Sequence, residues 1–161
     1  MAVLQLYFLL PRRFELNYID SNGEKQVPVV IHRAIFGTFD RFTAFYIEET
    51  KGLFPLWLAP KQIEVIPVNS EIHSEYAHKV KEKLLENGFR VEVDDRNEKL
   101  GYRVREAQIS KTPICLICGD NEAANNSVTI RRHGSNEQIT IAIDELITKL
   151  KEEINNKKAI N

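Results

Sequence analysis

The stretch FRVEVDDRNEKLGYRVREAQISKTPICLIC, residues 89–118, decides the fold, because it carries a strand, a helix and a second strand in one run. Phe89 to Val93 has the apolar alternation of a strand. Behind it, Leu100, Val104 and Ala107, with Gln108 beside them, fall on or near one face at helical spacing, and the segment ends near Lys111-Thr112-Pro113. Ile114 to Cys118 is a short continuous apolar run bounded by Pro113 and Gly119, the pattern of a strand buried inside a sheet. Upstream, Ile63 to Val68 predicts another strand. Ser70 is expected to cap a helix in which Ile72, Tyr76, Val80 and Leu84 recur every four residues until Asn87-Gly88 stops it. Downstream, Ser127 to Arg131 and Gln138 to Ile141 predict two more strands, and a closing helix carries Leu146, Ile147, Leu150 and Ile154. The order implies an α/β unit with a mixed, mostly parallel five-stranded sheet flanked by helices.

In such sheets ligands gather beyond the carboxyl ends of the strands, where the Asp94 to Lys99 loop falls. From Arg96 to Lys111 five cations (Arg96, Lys99, Arg103, Arg105, Lys111) face two anions (Glu98, Glu106). On charge alone the favoured reading is a solvated, salt-bridged surface. The alternative is a reader of polyanions, and the Arg, Asn and Glu side chains suit unstacked RNA bases as well as phosphate. A net charge of −1 over 161 residues excludes a generally basic nucleic-acid coat, so RNA affinity must come from such local patches. No run approaches the roughly 18 apolar residues of a membrane span, and the N-terminus lacks the basic region of a signal peptide. With two cysteines and no export signal, a cytoplasmic protein is expected.

Those cysteines, Cys115 and Cys118, form C-x-x-C, which invites a zinc or redox reading. Residues three apart on a strand point to opposite faces, so the two thiols should share neither a ligand nor a disulfide. They read as core residues, with a small thiol oxidoreductase as the rival.

The first fifty residues follow a different grammar. Leu4 to Phe8 predicts a strand ending at Pro11, and Phe14 to Tyr18 and Gln26 to His32 predict two more, joined through Asp20-Ser21-Asn22-Gly23 with its Asn-Gly hairpin signal. Thr38 can cap a helix carrying Phe42, Phe45 and Tyr46, closed by Gly52. Phe54 to Pro60 is Pro-bounded and hydrophobic, a stiff connector. The domains expected are residues 1–52, a connector over 53–60, and residues 61–161.

Several pieces, in order, resemble the C-terminal part of the bacterial threonyl-tRNA synthetases, class II aminoacyl-tRNA synthetases. They are Leu4-Gln5-Leu6, Leu10-Pro11 with Arg13-Phe14, Pro28 to Gly37, Arg41-Phe42, Phe54-Pro55, Trp57 to Pro60, Asp94 to Gln108 and Gly119-Asp120. The resemblance spans essentially the whole chain. It implies that residues from about 60 onward are an anticodon-binding domain and that residues 1–52 are an antiparallel-sheet fragment of the catalytic domain. It further implies that Gly37 to Arg41 is class II motif 3, with Gly37 and Thr38 at the substrate pocket and Arg41 as the catalytic arginine on ATP phosphate charge. Gln5 becomes a pocket residue and His32 the last protein ligand of a zinc that selects threonine. Asn97, Lys99, Lys111, Glu122 and Arg131 become the anticodon contacts, for threonine anticodons ending in G and U.

Three positions depart from the family: Tyr7 and Arg12 where acids are common, and Lys111 where arginine is frequent. Motifs 1 and 2 have no counterpart, so ATP and zinc belong to a parent enzyme, a homodimer, and neither is expected to bind this chain tightly or support catalysis by it alone. The expected partner is threonine tRNA, with no membrane. A free-standing RNA-binding or regulatory module derived from the same domain is the alternative. His73, His78 and His133 are expected at the surface without partners.

Overall fold

A computed structural model describes residues 3–159 of the chain, which divides into two compact units, Met1–Glu49 and Thr50–Asn161. The smaller unit runs β1 (Val3–Tyr7), α1 (Leu9–Arg13), β2 (Tyr18–Ile19), β3 (Lys25–Gln26), β4 (Val30–Ala34) and α2 (Phe39–Thr50), whose last residue lies across the division. β1 pairs with β4 and β2 with β3, both antiparallel. The expected strand over Phe14 to Tyr18 is absent. Leu9 to Arg13 coils into a helix that tolerates Pro11 in its first turn, where no N–H is needed, and Glu15 at φ 53° turns the chain before Tyr18. The expected strand over Gln26 to His32 is split, because Pro28 has no N–H for a ladder and the two halves pair with different partners. The Asn-Gly hairpin forms as expected, with the Asp20 carboxylate accepting from the backbone N–H of Asn22 and Glu24, both at 2.9 Å. Thr38 caps α2, its Oγ1 accepting from Arg41 N at 3.3 Å. Among the described residues of this unit only Pro11 is buried, so these two-stranded ladders enclose no core of their own.

The larger unit holds β5 (Ile63–Pro67), α3 (Ser74–Glu86), β6 (Val91–Val93), α4 (Leu100–Ile109), β7 (Ile114–Cys118), α5 (Asp120–Ala124), β8 (Ser127–Arg132), β9 (Gln138–Ala142) and α6 (Ile143–Asn155). Its sheet has the order β6-β5-β7-β8-β9. The mixed five-stranded sheet and flanking helices are as the sequence predicts: β5 pairs in parallel with β6 and β7, whereas β7–β8 and β8–β9 are antiparallel, so only β8 runs against the other four strands. The reason is linker length. Long helices return the chain across the sheet before β6 and β7, while the short α5 and a turn at His133 to Glu137 lead straight back.

Strand alternation sorts the core into two layers. Ile63, Val65, Ile114, Leu116 and Cys118 face α3 and α6, packing with Val80, Leu84, Leu146 and Leu150. Ile66 and Cys115 face α4, against Val104 and Ala107, with Leu100 and Ile117 alongside. The two thiols therefore lie in different layers, as three-residue spacing requires, and burial pushes each pKa up to about 12. Residues 54–60 lie against this unit: Gln62 donates to Leu56 O at 2.8 Å, and the Arg90 guanidinium donates to the carbonyls of Trp57, Ala59 and Pro60. α3 starts at Ser74 with His73 as its cap, three residues later than expected, because Asn69 to His73 close a turn of their own; Ile72 is left outside the helix and 67% exposed. No described helix is long and apolar enough to cross a membrane.

A basic side chain sits in this core. Arg103 is 1% exposed, and its guanidinium donates to Glu98 O (3.1 Å), Asp94 O (2.7 Å), Pro67 O (2.8 Å) and Val68 O (3.4 Å). It thus joins the carboxyl ends of β5 and β6 to the loop before α4. Replacing it strands several inward-facing carbonyls and leaves a cavity. Arg103→Ala should lower urea-unfolding stability by at least about 3 kcal/mol, with Arg103→Lys in between because an ammonium lacks the fork; an unchanged midpoint would contradict the clamp. At pH 8 a thiol-disulfide reagent should leave Cys115 and Cys118 untouched in the folded chain and modify both in denaturant.

Candidate nucleic-acid interface

The loop from Asp94 to Lys99 is shaped from beneath. Asp94 is buried, and its carboxylate accepts from Arg96 Nε and NH2, both at 2.8 Å; NH2 also reaches Glu106 Oε2 at 2.6 Å, and Glu106 Oε1 accepts from the Tyr102 hydroxyl at 2.9 Å. The bonds from Arg96 hold the Asp94 and Glu106 carboxyls below their ordinary range. Ser70, rather than capping α3, donates its hydroxyl to Arg96 O at 2.9 Å. The loop is therefore fastened at both sides, and Asn97 is left exposed at its tip.

This arrangement reapportions the basic run. Arg96 is spent on two carboxylates and Arg103 on carbonyls. Lys111, held at φ 57° after α4, donates its amine to Lys51 O. Lys99 and Arg105 are exposed and have no side-chain partner among the described residues. The salt-bridged reading of the run describes Arg96, while Arg103 is a core residue and Lys99 and Arg105 keep their cationic heads in solvent.

One face of the sheet is only half covered. Glu64, Cys115, Arg131 and Gln138 are in register across β5, β7, β8 and β9, and so share a face; Ile66, Thr129 and Thr140 belong to the same side. α4 covers the β5 and β7 part. Over β8 and β9, Arg131 is partly exposed and Gln138 and Thr140 are open to solvent. Helical spacing puts Gly101, Arg105 and Gln108 on the flank of α4 toward β8, and Tyr102 and Glu106 on the flank toward β6. The contacts agree: Glu106 meets Arg96, and Gln108 meets Arg131.

The other border of this face is α5. Glu122 accepts from Gly119 N–H at 3.0 Å through Oε2 and from the Thr129 hydroxyl at 2.7 Å through Oε1. That bond uses the only proton of Thr129, so at the 2.8 Å contact with Thr140 the latter donates. Gly119 is needed for close approach: a Cβ there would stand 3.0 Å from Glu122 Oε2 and 3.1 Å from Val68 Cγ2. α5 is tied in turn to the end of β5 by His73, whose Nδ1 accepts from Asn69 N at 3.1 Å and whose Nε2 donates to Asp120 Oδ1 at 3.0 Å. The expectation of a surface His73 without partners is thus corrected; it is 5% exposed because Asn69 folds the turn back over it. His78 also has a partner, Asp95, at 3.3 Å, and His133 keeps its Nδ1 buried.

Of the five expected anticodon residues, the structure brings Glu122 and Arg131 to one surface, on either side of Thr129. Asn97 and Lys99 stand at the N-terminal end of α4. Lys111 is at the opposite end of that helix, about 15 Å along its axis, with its amine turned to the Lys51 carbonyl. The sequence reading missed Arg103 as a clamp and Gln108 as the neighbour of Arg131. Both were visible as positions three and eight residues after Leu100 on the helical pattern.

In the smaller unit, Gln5 and His32 are directly opposed on β1 and β4, and the Tyr7 hydroxyl donates to Gln5 Oε1 at 2.6 Å. Gly37 is at φ 77°, and a Cβ on it would meet Arg41 Cδ at 3.4 Å. Arg41 lines a cleft of about 480 Å³ with Ile35, Phe36, Phe42 and Phe45. Among the described residues no three His, Cys, Asp or Glu side chains converge to hold a metal, so the imidazole of His32 does not by itself make a zinc site.

Against known proteins, the family described as "Anticodon binding domain" matches residues 62–153. The chain is 53% identical over 98% of its length to the threonine–tRNA ligase of Staphylococcus carnosus (strain TM300), and 53% identical over 96% to that of Geobacillus sp. (strain WCH70). It spans 24% of the length of these curated relatives. Among solved structures, the RNA binding domain of threonyl-tRNA synthetase from Cryptosporidium parvum Iowa II is similar with a TM-score of 0.83 and 35% identity, over 94% of this chain and 38% of that one. A prolyl-tRNA synthetase from Cryptosporidium parvum shares the fold at a TM-score of 0.67 and 22% identity, over 91% of this chain and 31% of that one. With more than half of its residues matched, this chain belongs to the anticodon-binding-domain family.

Proposed function

We propose that this chain is the C-terminal part of a threonine–tRNA ligase and that its larger unit binds the anticodon loop of threonine tRNA. The observation that carries the reading is the half-open sheet face beside α4, where Arg131 offers donors and Glu122, across Thr129, a carboxylate. Unstacked bases offer complementary edges to such a pair, while Lys99 and Arg105 on the rim suit the phosphates. Asn97, with both an amide donor and an acceptor, and Lys111 extend the surface along α4. Identity of 53% to ligases named for threonine supports the choice of tRNA.

The parent reaction activates threonine with ATP and transfers it to the tRNA. Within the smaller unit, Arg41 would neutralise phosphate charge as pyrophosphate leaves, with Gly37 and Thr38 shaping the turn before it and Gln5 facing the substrate. His32 would supply one ligand of a zinc whose remaining ligands this chain does not bring together, so no step is assigned to the metal. The exposed apolar faces of Leu4, Leu6 and Ile31 fit a sheet that continues beyond these strands in the parent.

Competition binding tests the reading. The chain should prefer threonine tRNA over a tRNA with an unrelated anticodon, and Asn97→Ala should abolish that preference while weakening binding about tenfold. Equal affinity for both tRNAs would overturn the proposal in favour of a general RNA-binding module.

A further inference from the structure

Arg131 is held by a side chain outside the five expected contacts. A guanidinium only donates, so the Gln108 amide beside it must present its oxygen, and in that orientation it accepts from Arg131 Nε and NH2, each at 3.2 Å. The second NH2 proton goes to Asn136 Oδ1, also at 3.2 Å. Three of the five donor protons are thus engaged on one edge. The two on NH1 have no partner among the described residues.

We propose that Gln108 is a positioning residue for RNA recognition: it fixes the plane of the Arg131 guanidinium so that NH1 points out of the open sheet face. Arg131 has four rotatable side-chain bonds and would otherwise lose that freedom only when the ligand arrives. Gln108 can set it beforehand because it is on the β8-facing flank of α4, one turn beyond Val104, which anchors the helix to the sheet. The result is a pair of NH1 donors held in a fixed plane, suited to an acceptor atom on a base edge or a phosphate. The inference rests on the open face being the anticodon-loop site.

Two measurements on the whole chain separate the inference from that reading. In the absence of RNA, hydrogen exchange at Arg131 Nε–H, followed by NMR, should be slow in the parent chain and at least tenfold faster in Gln108→Met. Gln108→Glu retains the acceptor and should restore the protection. With a hairpin carrying a threonine anticodon, Gln108→Met should weaken binding about tenfold in the parent background and have no further effect in Arg131→Ala, a coupling that only a shared action gives. Equal exchange in parent and Gln108→Met, or losses that add across the cycle, would overturn the positioning role. Failure of the parent chain to bind the hairpin overturns the anticodon reading, and the exchange result then decides the position of Gln108 alone.

Discussion

The larger unit depends on a buried guanidinium. Carbonyls at the carboxyl ends of strands point out of a parallel sheet toward solvent or a ligand, and where a loop covers them they need donors. Arg103 supplies those donors to Pro67, Val68, Asp94 and Glu98 together. Burying the charge is costly, and several hydrogen bonds are what make it tolerable. Because the side chain comes from the first turn of α4, the same contact that satisfies the strand ends also seats the helix. The loop bearing Asn97 and Lys99 is consequently part of the rigid scaffold.

From that seat follows the division of the sheet face. α4 lies over β5 and β7 and ends at Ile109, so β8 and β9 remain uncovered on its side. Two kinds of local tethering then set the side chains on the open part. Gly119 lets Glu122 fold back onto Thr129, and Gln108 meets Arg131 from the helix. On the other face α3 and α6 cover the core of β5, β7 and β8, while Ile139 at the β9 edge stays exposed. The smaller unit shows the contrast: its strands are paired and its α2 is capped, yet it buries almost nothing, and its proposed substrate residues are set on ladders that require further surface to become a site.

The sheet was largely legible in the sequence because its strands are apolar runs of the right length between glycines and prolines, with Ile114 to Cys118 central as predicted. The spacing of Cys115 and Cys118 placed them in separate layers correctly. What escaped was local and polar. Charge counting treated the cations of residues 96–111 alike, whereas Asp94 and Glu106 absorb Arg96, and carbonyls that include those of the distant Pro67 and Val68 absorb Arg103. The helix start at Ser70 failed because Asn69 competes for the backbone with a turn, and the strand at Phe14 failed because the chain turns at Glu15, at φ 53°, directly after α1. Helix α5 escaped because it is too short to give a periodic signal. Gly119-Asp120 with Glu122, acids at a helix start, was the available sign. The family of the larger unit was legible from its motifs; the roles of individual side chains needed the register of the sheet.

The claim that RNA lies over the open half of the sheet is most directly tested by amide hydrogen–deuterium exchange of the chain with and without a threonine anticodon hairpin. Protection should rise in residues 97–108 and 127–140 and stay unchanged in residues 74–86 and 143–155. Protection confined to the latter two helices would contradict the account.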